Sequence, residues 1–486
     1  MKLASAAKNL FLHNAMLRRY RCSVLRPSQL WIYVTIYVAV AILILFVNHS
    51  IRQAKDNPII YEKYYNTLYY QFLALQTLLL LFWATFNSRS AVRQEVSDKT
   101  YDFFRLLPFS AMQKTVGILV GKNLAALLLA CFTFILILLF GILGKVSASL
   151  QLQVILLMLT ATLFTNSAAL LSSGAGLRKQ ARMSVAAWIL MFMFLGPLFV
   201  QLLFLPFFAI SQIRKADLVT VPFYRLDILI LVLVGLILLY FSIWCILGIL
   251  RKFTYENEPL FTRIGAFIFL VGYEVVVLGL FYAHFARFQP SVYAFWLASL
   301  VPVVFVPLAS VKTFDNYLEH CGLIRGSSAN HKSMPLVLFT YSNLTLAFVL
   351  FAVWTGFAFA TSRMGMLSPG QSLFDIAVVL SFCLFLLLLL ELNVLYGPVF
   401  GKLGLLLAFI AILHLFLPII LWATIDNTSL YYYCLFGFFA HLFNPLHVKT
   451  IAAHSPVLVV NLLLCIVPLL LVSKRYLYIL RLRKGM

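Results

Sequence analysis

Few residues of this chain could do more than pack, and they fall into two sets. The first is the polar stretch RQEVSDKTYDFFRLLPFSAMQKTVGILVGKN, Arg93 to Asn123. It carries Glu95, Asp98, Thr100 and Asp102, then Leu107, Pro108 and Ser110, and it closes on Gly121-Lys122. The second set is ionisable and lies inside apolar runs: Glu274, Glu391 and His414. A carboxylate in lipid is costly, so such groups usually face a bundle interior or a pathway for ions or substrate. The bland alternatives are a hydrogen-bonded structural contact or, for Glu391, snorkelling toward the cytoplasmic end. His441, His447 and His454 are spaced six and seven apart and make a weak ligand set, so no metal site is expected. No HExxH, no GxSxG and no paired Cys/His arrangement is present, and no catalytic residue is assigned.

The elements that must position these groups are membrane helices. Hydrophobic residues make up 63% of the 486, charged residues 11%, and the mean hydropathy is +0.99. Soluble domains are nearer half apolar and a quarter charged. The apolar runs are about 20 residues long and continuous, which fits helices and not the period-two pattern of a barrel. The seven cysteines are scattered without a CxxC pair and read as buried thiols. The first run follows about 29 polar or mildly amphipathic residues, so no cleavable leader is expected.

Spans are expected at 30–48, 64–86, 115–143, 150–173, 183–208, 227–250, 264–286, 292–310, 335–360, 371–396, 403–423 and 452–472. With both termini on one side, 27 of the 37 Lys and Arg fall on that side, which makes it the cytoplasmic one. The net charge of +22 is thereby explained by topology, without nucleic acid. Residues 3–26 read as an interfacial helix: Leu10, Leu12, Met16, Leu17 and Tyr20 share one side, and Lys8, Arg18, Arg19 and Arg21 the other. Arg26-Pro27 ends it. The outer connections 209–226 and 424–451 are not plain loops, and the aromatic run YYYCLFGFFAHLF in the second reads as interfacial or re-entrant.

The chain also repeats. KTYD at 99–102 follows the second span and KTFD at 312–315 follows the eighth; Asn123-Leu and Asn343-Leu open the spans that come next. The expected fold is therefore all-α and polytopic, with about twelve transmembrane helices as two parallel six-helix repeats and cytoplasmic termini. Its divisions are an interfacial helix at 1–29, a first half at 30–250 with cytoplasmic loop 87–114, a second half at 264–472 with loop 311–334, and a basic tail at 473–486.

Within the polar stretch, Ser97 and Asp98 can cap a short helix through Tyr101 to Leu106, Pro108 stops it, and Ser110 can cap the helix that becomes the third span. Lys122 is within snorkelling reach of the inner surface. The residues alone leave open whether this is a rigid helix–turn–helix or a solvated charged loop. GILVGKN at 117–123 and GPVFGKL at 397–403 have three residues between the glycines where a phosphate loop needs four, and neither has Ser or Thr after the Lys. No nucleotide site is expected here.

The acids after the second span, Thr100-x-Asp102, Leu-Leu-Pro-x-Ser at 106–110 and Gly121-Lys122 resemble type-2 ABC-transporter permeases, the exporter-type membrane subunits. The opening HNAMLRRYRCSVLRPSQLW is similar to the basic connecting helix of that family. The resemblance implies that the loop is a coupling helix seated in a cleft of a soluble ATPase, with Glu95, Thr100, Asp102, Leu107, Pro108, Ser110, Gly121 and Lys122 matching the family pattern. Asp315 would be the counterpart in the second half. Two departures stand out: Tyr20 occupies a place where the family often has an acid, and Lys99 replaces the usual Gly.

On this reading the chain is the permease subunit of an ATP-driven exporter in a bacterial plasma membrane. It would not be an enzyme itself, and a partner ATPase dimer would bind ATP and magnesium. Glu274, Glu391 and His414 are the candidates for a translocation pathway. The rival readings are an ion-coupled secondary transporter using Glu274 or Glu391 and a membrane enzyme acting on lipid or glycan with 424–451 as its interfacial site.

Overall fold

A computed structural model describes residues 14–53, 61–97, 108–175, 220–224, 226–254, 263–282 and 455–484, with isolated helical positions at Ser381, Leu384, Phe385, Leu388 and Leu392. The chain divides into two compact units, 1–221 with 227–258 and 222–226 with 259–486. The description is mostly helical, and five helices are long and apolar enough to cross a membrane: Pro27–Ser50, Tyr61–Glu95, Leu124–Leu143, Ala148–Ser173 and Ile230–Thr254. This is a multi-pass membrane protein. The five fall on the expected spans at 30–48, 64–86, 115–143, 150–173 and 227–250. Spans 183–208, 292–310, 335–360 and 403–423 lie outside the described residues.

In the first unit, α1 (Ala15–Val24) is capped by Asn14, whose side chain accepts from the backbone of Met16 and Leu17. It ends at Leu25, and α2 (Pro27–Gln53) begins directly on proline, which suits a first helical turn because the missing N–H is not needed there. α3 runs over Tyr61–Thr77, passes through a π-helical stretch at Leu78–Trp83, and continues over Ala84–Ser97. α4 covers Ala111–Val116 and a second π-helical stretch at Gly117–Lys122. α5 (Leu124–Leu143), α6 (Ala148–Ala175) and α7 (Ile230–Thr254) complete the unit.

Two expected boundaries are corrected. The helix of the second span runs on past 86 to Ser97, into the expected loop 87–114, with its polar end held by partners on α1 and α4. The third span is two helices: Asn123, at φ −95° and ψ 8°, breaks the chain between α4 and α5.

Contacts along the helices give their directions. Asn48 and Gln71 exchange hydrogen bonds at one end of α2 and α3, and Tyr33 meets Trp83 at 5.0 Å at the other, so these two are antiparallel. α5 is antiparallel to α3: Phe72 stacks on Phe140 at 5.2 Å, and Asn123 reaches Ser88. α6 runs parallel to α3, with Thr77 beside Met158 and Ser88 beside Asn166. α7 runs parallel to α6, since Gly235 abuts Thr160 and Phe164 meets Phe241 at 6.1 Å. Lipid tails are as apolar as leucine, so such helices associate through close packing and buried hydrogen bonds. The Asn123–Ser88–Asn166 chain does this inside the bundle: Asn123 Nδ2 donates to Ser88 Oγ at 2.8 Å, and Ser88 Oγ donates to Asn166 Oδ1 at 3.4 Å.

β1 (Thr220–Phe223) and β2 (Leu226–Leu229) pair as a short hairpin, a departure from the all-helical expectation at the end of the connection 209–226. In the second unit, Tyr224 adopts φ 49°. Its N–H donates to the Gly279 carbonyl at 3.2 Å and its hydroxyl to the Val275 carbonyl at 2.6 Å. Both acceptors lie on α8 (Arg263–Tyr282). Gly279 is needed there: a Cβ would lie 2.4 Å from the Phe223 ring. α9 (Ser455–Lys484) continues straight through the segment expected as a separate basic tail, and Cys465 on it contacts the Ser381 carbonyl at 3.5 Å.

Candidate functional site at the ends of the polar segment

Met16 and Tyr20 lie one turn apart on α1 and are both buried, whereas Arg18, Arg19 and Arg21 are exposed. This is the amphipathic division expected from sequence. The buried side rests on the π-helical stretch of α4. A Cβ on Gly117 would lie 2.5 Å from Met16 Cβ, and one on Gly121 would lie 2.9 Å from Tyr20 Cβ. Two glycines four residues apart form a groove in which another helix can approach closely. A mixed core closes around this contact: Met16, Tyr20, Ala91, Val92, Ile118, Leu170 and Ile249. It draws together α1, the end of α3, α4 and the ends of α6 and α7.

Polar contacts lock the same assembly. Asn14 Nδ2 donates to the Gln113 carbonyl at 2.8 Å. Ser110 accepts from Gln113 N–H at 3.2 Å while Gln113 Oε1 accepts from Ser110 N–H at 3.0 Å, a reciprocal capping box that starts α4. Arg19 pairs with Glu95 at 3.0 Å, and Lys122 Nζ donates to Gln94 Oε1 at 2.9 Å. The Arg19 and Lys122 cations each lie 5.9 Å from the centre of the Tyr20 ring, within cation–π range. Burial, then the nearby Glu95 carboxylate, pushes the Tyr20 phenol up to about 12. The Tyr20 hydroxyl is buried without a hydrogen-bond partner among the described residues.

Of the residues singled out in sequence, Glu95, Pro108, Ser110, Gly121 and Lys122 are described; Glu95, Gly121 and Lys122 hold α1, α3 and α4 to one another, and Ser110 caps α4. Thr100, Asp102 and Leu107 lie outside the described residues, as do Asp315, Glu391 and His414. Glu274 is buried on α8 in the second unit. The residues missed in sequence are Met16 and Gly117 as a packing pair, and the Ser88–Asn123–Asn166 chain. Gly-x-x-x-Gly at 117–121 carried the signal for the first, and short polar side chains in apolar runs for the second.

No family model, no curated protein and no solved structure matches the chain.

Proposed function

We propose that this protein is the membrane-spanning subunit of an ATP-driven exporter of the type-2 ABC permease kind. The observation that carries the reading is the clamp just described. A basic amphipathic helix is seated on the glycine groove at the head of the third span and is salt-bridged to the end of the second. Both ends of the polar segment 98–107 are thereby fixed to a rigid frame. A segment held in this way can pass a push from a soluble partner into the helices, which one anchored at neither end could not do. The full arrangement would be two parallel six-helix repeats with cytoplasmic termini in a plasma membrane. A partner ATPase dimer carrying ATP and magnesium would dock on Thr100, Asp102, Leu107, Pro108 and Ser110, and on Asp315 in the second half, while Glu95, buried against Arg19, would brace the segment from within. ATP-driven closure would supply the differential free energy that rocks the halves between inward- and outward-open states. Purification in mild detergent from the native host tests this: a soluble ATPase should accompany the wild type and be lost from Asp102→Arg.

The burial of Glu274 supports a second reading, an ion-coupled transporter with this carboxylate as a proton site. Proteoliposomes with an imposed proton gradient separate the two. Gradient-driven transport that disappears in Glu274→Gln, with no partner protein present, would favour the second reading over the first.

A further inference from the structure

A cavity of about 430 Å³ opens beside the clamp, within the first unit. That volume falls in the ~300–1,000 Å³ range of small-ligand sites. Its lining includes the cationic and polar side chains of Arg19, Arg26, Gln29 and Lys122. It is also lined by an aromatic pair: Tyr33 and Trp83 meet at 5.0 Å with their rings tilted by 60°. Three cations line it against one carboxylate, Glu95, which Arg19 already pairs. Arg26 makes no ion pair among the described residues and is exposed at the break between α1 and α2.

Three features say what such a cavity would hold. First, its lining joins cations to a Tyr–Trp pair, the aromatic types that membrane proteins place at headgroup level. Second, its α2 wall belongs to a helix that faces lipid: none of the most apolar window of α2 is buried, and Trp31, Ile32 and Ile36 are all exposed. An amphiphile could therefore enter sideways from the bilayer. Third, each of the two π-helical stretches ends on a residue that lines the cavity, Trp83 on α3 and Lys122 on α4. Such stretches widen a helix locally and recur at binding sites.

We propose that this cavity binds an anionic phospholipid from the leaflet in which α1 lies. Arg26, Arg19 and Lys122 surround its phosphate, and the Tyr33–Trp83 pair underlies its glycerol. Basic pockets between membrane helices suit anionic headgroups, and each cation near the surface contributes about five-fold in affinity. The bound lipid ties α1 to α2 and α3 and so braces the clamp from its membrane side. The inference does not depend on an ATPase partner.

The test is native mass spectrometry of the full chain from nanodiscs of phosphatidylcholine mixed with phosphatidylglycerol, together with thermal unfolding in each lipid. Wild type should retain one phosphatidylglycerol in preference to phosphatidylcholine and should unfold at a higher temperature when it is present. Arg26→Gln should lower that retention about five-fold, while Arg26→Lys, which keeps the charge, should hold most of it and report on folding. Equal retention of the two lipids, or retention unchanged in Arg26→Gln, overturns the proposal. An equal rise in unfolding temperature from inorganic phosphate alone in phosphatidylcholine overturns it too, because the ligand would then be a free anion.

Discussion

Tyr20 lies across Gly121: the space that a Cβ on the glycine would need is within 2.9 Å of Tyr20 Cβ and 3.2 Å of its ring. One turn away, Met16 covers Gly117 in the same manner. α1 and the π-helical stretch of α4 are thus fitted to each other at the level of single methyl groups.

Gly117→Ala should loosen α1. The added Cβ would lie 2.5 Å from Met16 Cβ, which cannot swing aside as a flexible side-chain end would. Overpacking of this kind costs about 1–3 kcal/mol. The thermal midpoint should fall, and trypsin should cut at Arg18, Arg19 and Arg21 faster than in wild type. Unchanged cleavage would mean that α1 does not depend on this groove.

Tyr20→Phe should be neutral or slightly stabilising at neutral pH, since it removes a buried hydroxyl that has no partner among the described residues. The pH dependence has a definite sign. The phenol is raised in the folded state from 10.0 to about 12. The unfolded chain therefore loses its proton first, and stability falls as pH rises from the lower value to the higher. Between these pH values wild type should lose stability faster than Tyr20→Phe, as measured by chemical denaturation across the alkaline range. Parallel pH profiles for the two proteins would contradict the buried placement.

Asn14→Ala should destabilise α1 by about 1 kcal/mol, the usual worth of an N-cap, and it also removes the hydrogen bond to the Gln113 carbonyl. Arg19→Ala should cost less, under about 1 kcal/mol, because half of the Arg19 side chain is solvated in its pair with Glu95. Comparing the two variants by thermal unfolding separates capping from charge: if Arg19→Ala is the more damaging, the clamp is chiefly electrostatic.

The sequence read well where one physical signal dominated. Continuous apolar runs placed α2, α5, α6 and α7, and the Met16/Tyr20 face of α1 followed from helical periodicity alone. Ser110 was legible as a cap because it is a hydroxyl placed between the helix-stopping Pro108 and the next apolar run; the reciprocal partner, Gln113, was not. It read poorly where several partners share the decision. Asn123 breaks the third span in company with the π-helical stretch before it, and hydropathy does not register either feature. The glycines of GILVGK read as a failed phosphate loop, yet their role is to admit Met16 and Tyr20, residues about a hundred positions away in sequence. Gly279 is a similar case, since the Phe223 ring that occupies its missing Cβ position comes from a distant hairpin.

We propose that the segment between α3 and α4 receives work from a soluble ATPase. ATP hydrolysis in the detergent eluate of the affinity-purified chain, wild type beside Asp102→Arg, tests it most directly. Nucleotide hydrolysis should co-elute with the wild type and be lost from the variant, with both proteins equally folded and equally abundant. Hydrolysis absent from both, or present equally in both, would contradict it.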